Sequence, residues 1–502
     1  MVNLLLCNFQ SHLQTMKEDD GLKFKIVELN LKLLNASGMI PSGGIKSTVW
    51  KSRLYSIYQI FQYLLYFPIL LSQLLALYYN KNDIIVLIDN ICALTIPSSS
   101  YIAAILLKFK GNAVFKLIQN VENSYIYDLP EVKNNEKCIE ALKSSKKMCR
   151  IMFWFTIGSG LSGMFFWVLS PILLDFAEQV IYDESNSNDR NTTENKFVFA
   201  MWLPFELESS SSYVTVYIVQ TVIFFVSGNA LFGFFAFSLT LLIHAANQFE
   251  IVTLMVKDID DELSKYATDE FHSNTLPLKI RFKNQNEITK LRLDVYKTSP
   301  YYINTKLNSR GREYEKEHAM ELYHRNTSNV YYFKTDLKIE MDAEEHHATN
   351  YLRQVAKAHQ IAIQNMTNTE EIIGLPLFCI TFLALTCIVG STFILSMNPG
   401  FQQMMKSFAT LTFALAQFFF FCIFGEAVIT QSLAVGEAAY SCQWFERGPA
   451  FKRLLLIVLT KAHKPVYLTL GKLLIQSMEM FAWVVQSSYK FFNLLLQMNE
   501  QI

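Results

Sequence analysis

The residues that could do chemistry in this chain are histidines and acids in its middle section, and their spacing fits no catalytic or metal site. The pair His346–His347 directly follows two glutamates, whereas two zinc ligands one helical turn apart with a base between them need the spacing His-Glu-x-x-His. The sequence has no Gly-rich phosphate loop, no Gly-x-Ser-x-Gly elbow and no pair of carboxylates inside an apolar run. We therefore expect no enzyme, no metal and no cofactor.

Glu426 differs from the other acids because it lies deep inside an apolar run. An ionisable group within a membrane segment is costly and often has a function. Two interpretations are open: a functional acid, or a polar residue near the cytoplasmic end of its span that bonds to a neighbouring helix.

The elements that must position such residues are membrane spans. Apolar residues make up 51% of the chain, although it carries 44 basic and 44 acidic residues. Crossing about 30 Å of hydrocarbon takes roughly 20 apolar residues in a helix. Seven runs meet this length, so we expect an all-α membrane protein with seven transmembrane helices. They are residues 54–79, 84–107, 151–174, 213–243, 372–396, 408–433 and 467–496.

The charges between the spans predict the orientation. Residues 108–150 carry nine Lys and Arg, and such residues are retained in the cytoplasm. Residues 175–212 are acidic and contain the sequon at Asn191, so we expect them outside and glycosylated there. The amino terminus is then cytoplasmic and the carboxyl terminus extracellular, the reverse of a G-protein-coupled receptor.

This pattern divides the chain into four regions. Residues 1–53 form a cytoplasmic segment without a cleaved signal, and residues 54–263 hold the first four spans with the acidic loop. Residues 264–342 mix both charges and contain two prolines, so we expect a long, mobile cytoplasmic insertion. Residues 343–502 hold the last three spans, a cytoplasmic anchor helix at 453–461 and a pore-lining helix at 467–496.

Four linked motifs near the carboxyl terminus resemble insect odorant receptors in order and spacing. They are residues 420–426 (Phe-Phe-Cys-Ile-Phe-Gly-Glu), 438–445 (Ala-Ala-Tyr-Ser-Cys-Gln-Trp-Phe), 461–466 (Lys-Ala-His-Lys-Pro-Val) and 487–489 (Ser-Ser-Tyr). The likeness continues more loosely upstream, through Leu203-Pro204-Phe205 and Ala358-His359-Gln360.

The resemblance implies a ligand-gated, non-selective cation channel in the plasma membrane of olfactory sensory neurons. Such channels are tetramers, and a heterotetramer here would combine an odorant-binding subunit with the shared odorant-receptor co-receptor. The ending at residues 488–495 looks like the ligand-tuned kind of subunit, whereas the length of residues 264–342 is more typical of the co-receptor.

The resemblance also implies where subunits meet and where ions pass. The anchor would contain Tyr440, Trp444 and Pro465, and its aromatic side chains would bury large areas between subunits. Phe492 and Leu496 lie four residues apart on one face of the last span and would form an apolar constriction, with Gln497 just beyond. With no ring of carboxylates there, we expect weak discrimination among cations.

An odorant is small and volatile, so its site should be an apolar cavity with few polar groups. The resemblance places this cavity among spans two, three, four and six. The candidate ligand-binding residues on these spans are Ile91, Leu94, Thr95, Gly160, Gly163, Trp167, Tyr213, Tyr217, Gln220, Thr221, Phe224, Phe408, Leu411 and Thr412.

Three other functions remain as alternatives. A gustatory receptor-type channel would share the topology, but would carry a Thr-Tyr-x-x-x-x-Gln-Phe ending, and here Tyr489 is followed by Lys-Phe-Phe-Asn. A G-protein-coupled-like chemoreceptor requires the opposite orientation. A transporter would need internal repeats and broken spans, which the sequence does not contain.

Overall fold

The structure is a computed structural model that describes residues 26–40, 49–79, 81, 84–122, 124–182, 197–199, 201–202, 210–263, 313–397 and 400–500. The predicted glycosylation site Asn191, the Leu203-Pro204-Phe205 segment and residues 264–312 lie outside these ranges. The side chains of residues 313–344 and of Leu496 also lie outside the description.

The described residues are almost entirely helical. The helices are α1 (Ile26–Ala36), α2 (Val49–Tyr79), α3 (Ile84–Phe109), α4 (Gly111–Glu122), α5 (Tyr125–Asp128), α6 (Pro130–Lys133), α7 (Glu136–Tyr182), α8 (Ser210–Lys257), α9 (Glu313–Ser396), α10 (Phe401–Ser441), α11 (Pro449–Ala462) and α12 (Met478–Glu500). A 3₁₀ turn spans Trp444–Glu446, and the strands β1 (Thr469–Leu470) and β2 (Leu474–Ile475) precede α12.

Five helical segments are long and apolar enough to cross a membrane, counted over the described residues. They are Ile85–Phe109, Glu136–Ile172, Ser211–Lys257, Glu345–Ser396 and Gln403–Ser441. The predicted first span falls within α2, whose shorter apolar part is Leu70–Tyr79.

Helix α8 forms the centre of the core. Its residues from Gly228 to Gln248 are nearly all buried, and Phe234, Phe237 and Phe249 are fully so. A helix that is apolar on every side is normally surrounded by other elements, which matches the sequence of α8.

A chain of buried polar side chains ties α5, α8 and α9 together. The Tyr127 hydroxyl lies 3.0 Å from Nδ1 of His244, whose Nε2 lies 3.1 Å from the Gln248 amide. Asn365 donates to Gln248 Oε1 over 3.2 Å. Burial raises the pKa of the Tyr127 hydroxyl well above its usual range, so this group stays neutral and acts only through hydrogen bonds.

The predicted seventh span is wrong at its beginning, because residues 467–477 are not helical. Strands β1 and β2 pair antiparallel, with Thr469 opposite Ile475. The turn between them has positive φ at Gly471 (58°) and Lys472 (63°), which a helix cannot contain. The helix begins only at Met478.

Part of the predicted insertion at residues 264–342 is helical, because α9 begins at Glu313. Between Gly311 and Gly374 the sequence has neither Gly nor Pro, and its most frequent residues are Glu and Ala. These are good helix formers without an interrupting residue, so one helix runs from the charged segment into the apolar one.

The chain divides into two compact units. One contains the described part of Met1–Met255 with Ala356–Tyr440 and Val458–Ile502. The other contains the described part of Val256–Val355 with Ser441–Ile457.

Candidate ligand-binding site

An apolar cavity of about 110 Å³ lies within the first unit, among α3, α7, α8, α9 and α10. Each helix contributes side chains spaced three or four residues apart, as on one helical face. The wall contains Thr95, Ile96 and Ser99 of α3; Gly160, Gly163, Met164 and Trp167 of α7; Phe224, Leu231, Phe232 and Phe235 of α8; Leu377, Ile380, Thr381 and Ala384 of α9; and Thr410, Phe413, Ala414, Gln417, Phe418 and Phe421 of α10. The thiols of Cys92 and Cys387 complete it between α3 and α9.

The structure brings five of the predicted ligand-binding residues to this cavity. They are Thr95, Gly160, Gly163, Trp167 and Phe224. They come from three different helices, so their convergence depends on the packing of the bundle and not on one local motif.

Gly160 and Gly163 of α7 have different roles in the wall of the cavity. A Cβ at Gly160 would lie 2.4 Å from the ring of Phe232, so a glycine is needed for α7 and α8 to approach this closely. A Cβ at Gly163 would meet nothing within 4 Å. Gly163 therefore leaves space in the wall that a larger side chain could fill.

Trp167 is held in place on two sides. Its indole nitrogen donates to Thr410 Oγ1 over 3.1 Å, and its ring stacks on Phe224 with centroids 5.7 Å apart. A large aromatic ring fixed in this way forms a rigid wall.

The other predicted residues of α8 lie beside the cavity. Tyr217 donates its hydroxyl hydrogen bond to the Val168 carbonyl, and Tyr213 packs against Tyr217 with ring centroids 6.0 Å apart. Thr221 donates to the Tyr217 carbonyl at 2.8 Å. Gln220 is buried, with its amide bonded to the backbone of residues 198 and 199.

The predicted residues of α10 and the remaining two of α3 are on other faces of their helices. Phe408 is 59% exposed, Thr412 is exposed and Leu411 is half-buried. Ile91 and Leu94 are half-buried and do not line the cavity. The neighbouring stripe of α10, which begins at Ala409 and Thr410, lines the cavity instead.

Gln417 is a cavity residue that sequence reasoning missed. It is an amide inside the run Leu-Thr-Phe-Ala-Leu-Ala-Gln-Phe-Phe-Phe-Phe, and it is 3% exposed. A polar residue inside an apolar run was the signal that could have found it.

A short segment, Phe197–Phe199, packs against the cavity wall near Trp167, with the ring centroids of Phe199 and Phe224 6.3 Å apart, and we call it the strap. Val198 and Phe199 are buried. Lys406 is 3% exposed and donates to the Val198 carbonyl over 3.2 Å, with its ammonium 5.2 Å from the Trp167 ring centroid. The strap thus rests on side chains that line the cavity or touch its wall.

The wall of the cavity also contacts the start of the last helix. Phe418 lines the cavity, and its ring centroid is 5.9 Å from that of Phe481 in α12. One turn further along α10, the Gln476 amide donates to Cys422 Sγ over 3.1 Å. Glu426 Oε2 accepts a hydrogen bond of 3.2 Å from the backbone nitrogen of Met478, the first residue of α12.

The predicted pore residues lie at the far end of α12. Phe492 is half-buried beside Tyr489, with ring centroids 6.4 Å apart, and Gln497 is exposed. The Leu496 backbone is helical, and its side chain lies outside the description.

The predicted anchor residues are largely exposed. In the first unit, Tyr440 is 70% exposed and Pro465 is exposed. In the second unit, Trp444 is half-buried and meets Phe445 edge-on, with ring centroids 6.3 Å apart. Burial raises the pKa of the neighbouring Cys442 thiol to about 11, so this thiol is protonated at neutral pH.

Comparisons with known proteins agree on one family. The family model described as 7tm Odorant receptor matches residues 83–489. The odorant receptor coreceptor of Aedes aegypti is 38% identical over 88 residues, which are 18% of each chain. Odorant receptor 67a of Drosophila melanogaster is 31% identical over 139 residues, 27% of this chain and 33% of that protein. The alignments thus span at most about a third of these curated relatives.

A solved structure supports the same fold. The insect olfactory receptor OR5 from Machilis hrabei, determined in complex with eugenol, superposes with a TM-score of 0.66. The superposition covers 94% of this chain and 97% of that one at 12% sequence identity.

Proposed function

The chain belongs to the 7tm odorant receptor family, and from this membership we propose that it is the odorant-binding subunit of a heteromeric, ligand-gated cation channel. The family consists of membrane receptors and not of enzymes, as we expected for this chain. The ligand is a small volatile compound that enters the cavity.

The observation that carries this proposal is the position of the cavity. Its wall is apolar, as a site for a volatile ligand requires, and Phe418 of that wall touches Phe481 of α12. A ligand that reshapes the wall therefore acts on the helix that we propose lines the ion path.

Gating follows from a difference in affinity. A ligand with equal affinity for the open and closed arrangements would shift nothing, whereas about a 10⁴-fold preference carries a channel from nearly closed to nearly open. We propose that the ligand favours the arrangement of α10 that moves the beginning of α12.

The topology of the proposal has seven spans with a cytoplasmic amino terminus. The basic residues between 108 and 150 and the acidic segment 175–212 support this orientation. Phe492, Leu496 and Gln497 then lie towards the outside, where they form the constriction and the polar ring beyond it. The channel lies in the plasma membrane of an olfactory neuron.

The partner in this proposal is the odorant-receptor co-receptor. Relatives of both kinds, co-receptors and individual receptors, match the chain, and the ending at residues 488–495 favours the ligand-tuned kind. The exposed Tyr440 and the exposed Phe445, Leu456 and Ile457 supply apolar surface for subunit contacts.

Current recording from cells that express this chain with a co-receptor tests the proposed function. We expect inward cation currents to some members of a panel of volatile compounds, and none from cells that express the co-receptor alone. A complex that reaches the cell surface and passes current through the co-receptor, but answers no volatile compound, would contradict the proposal.

A further inference from the structure

Gln417 has an unusual environment for a buried amide. It lines the cavity and is 3% exposed, yet neither its Nε2 nor its Oε1 has a hydrogen-bond partner among the residues that the structure describes. Its neighbours on the same face of α10 are Phe413, Ala414 and Phe421, which offer no donor or acceptor on their side chains.

An unpaired amide such as Gln417 lowers the stability of the protein while the cavity is empty. Buried polar groups are nearly always hydrogen-bonded, and an unpaired one carries its full desolvation penalty. A leucine or methionine at position 417 would fill similar space without this penalty. A ligand that forms a hydrogen bond with Gln417 would offset this desolvation penalty.

Two threonines of the wall already have hydrogen-bond partners. Thr410 accepts from the Trp167 indole and donates to the Lys406 carbonyl over 2.9 Å. Thr95 donates to the Cys92 carbonyl over 2.7 Å. Among the described residues that line the cavity, Gln417 is the one whose buried side-chain nitrogen and oxygen both lack a hydrogen-bond partner.

We propose that Gln417 is a hydrogen-bonding anchor in the cavity and that it selects a compact ligand with a hydroxyl group, an alcohol or a phenol. The inference rests on the proposed function and adds the ligand class. A hydroxyl can donate to Oε1 or accept from Nε2, a ketone can only accept from Nε2, and a hydrocarbon can do neither.

The size of the cavity limits the carbon skeleton. Its volume of about 110 Å³ is somewhat below that of an engineered cavity of roughly 150 Å³ that binds benzene. One six-membered ring is therefore a fitting size, and cyclohexanol, cyclohexanone and methylcyclohexane form a matched set with nearly equal shape.

The test measures the potency of these three compounds on cells that express the chain with a co-receptor. Comparing the same ligands on two receptors removes each ligand's own hydration from the result. We expect Gln417→Leu to lower the potency of cyclohexanol relative to methylcyclohexane about tenfold, with cyclohexanone intermediate. Gln417→Met, which keeps the length of the side chain, should give the same change and serves as the second variant.

Gln73→Leu is the matched control. Gln73 is also fully buried with an unpaired amide among the described residues, but it lies on α2 and does not line the cavity. Gln73→Leu should leave the potency of cyclohexanol relative to methylcyclohexane unchanged.

Two results would overturn the anchor: a potency ratio that is the same in wild type and both Gln417 variants, or a wild-type channel that responds to hydrocarbons and to no alcohol. Either leaves the proposed function standing, because volatile compounds still open the channel. A wild-type channel that responds to no class of volatile compound would instead contradict the proposed function.

Discussion

Glu426 joins α10, the helix that contributes Gln417 and Phe418 to the wall of the cavity, to the last helix. Its carboxylate accepts the hydrogen bond from Met478 N, so it caps the amino end of α12. A negative charge at this end is favourable because the first backbone N–H groups of a helix lack partners and carry partial positive charge. The acid is thus bonded to a neighbouring helix, as one of the two interpretations of the sequence expected.

Replacing Glu426 by Gln should change gating and leave ligand preference intact. Loss of the charged cap costs about 0.5–2 kcal/mol at the start of α12, which shifts the balance between open and closed channels. Concentration–response curves for two unrelated volatile compounds should move in the same direction by similar factors. Glu437→Gln, an exposed position on the same helix, is the control and should move neither curve. A shift confined to one compound would contradict the cap.

Lys406 is the residue that holds the strap. Its ammonium donates to the Val198 carbonyl and lies over the Trp167 ring, and Asp89 is the acid that interacts with it electrostatically. A charged donor removed from water binds a carbonyl more tightly than a neutral donor does.

Lys406→Met should loosen the strap and let ligand leave sooner. Loss of a charged hydrogen bond of about 1.5–3 kcal/mol predicts that currents decay roughly tenfold faster after ligand is washed out. The exposed Lys464→Met is the control. Lys406→Arg keeps the charge and should decay more slowly than Lys406→Met. Equal decay rates in wild type and Lys406→Met would show that the strap does not retain the ligand.

Among the elements, the hairpin before α12 is fixed by close backbone contacts to two helices. A Cβ at Gly425 would lie 2.3 Å from the Gln476 carbonyl, and a Cβ at Gly374 would lie 2.7 Å from the Thr469 carbonyl. Gly471 N donates to the Gly374 carbonyl over 3.2 Å. The hairpin thus packs tightly against both α9 and α10, with no room for a methyl group at either contact.

Gly425→Ala should destabilise this junction. The added methyl group meets backbone rather than a flexible side chain, so we expect a loss of about 1–3 kcal/mol in stability. The melting temperature of the purified receptor complex measures it. Gly158→Ala, where a Cβ meets nothing within 4 Å, is the control and should be close to neutral. Equal melting temperatures for both variants would mean that the hairpin yields to the added methyl group.

The sequence predicts elements well where one apolar run makes one helix. Helices α3, α8 and α10 contain their predicted spans, and the motifs at the carboxyl terminus indicated the family correctly. It fails at residues 467–477, because an apolar strand pair and an apolar helix have similar composition and differ in backbone torsion.

Which face of a helix lines the cavity is harder to predict from the sequence than where the helix begins and ends. On α10 the prediction chose Phe408, Leu411 and Thr412, whereas the cavity is lined by the next stripe, including Thr410, Phe413 and Gln417. In a membrane helix both the lipid face and the packed face are apolar, so hydrophobicity does not distinguish them. Trp167 could be predicted because Gly160 and Gly163, seven and four residues before it, leave space beside a large ring.

For the whole molecule, the fold accounts for the proposed influence of a small ligand on the last helix. The cavity, the hairpin and α12 belong to one compact unit and are joined by direct side-chain contacts. A ligand needs only a few kilocalories of preference for one arrangement, since each 1.4 kcal/mol changes the balance about tenfold. This scale is consistent with a ligand that makes one hydrogen bond and fills a cavity of about 110 Å³.

The central claim is that occupancy of this cavity opens the channel. The most direct test is current recording from complexes that carry Gly163→Phe, because the wall is open at this position and an aromatic ring would fill the ligand space. We expect the variant to lose its volatile-evoked currents while currents opened through the co-receptor stay at the wild-type level. Volatile-evoked currents in the filled variant with wild-type potency would contradict the claim.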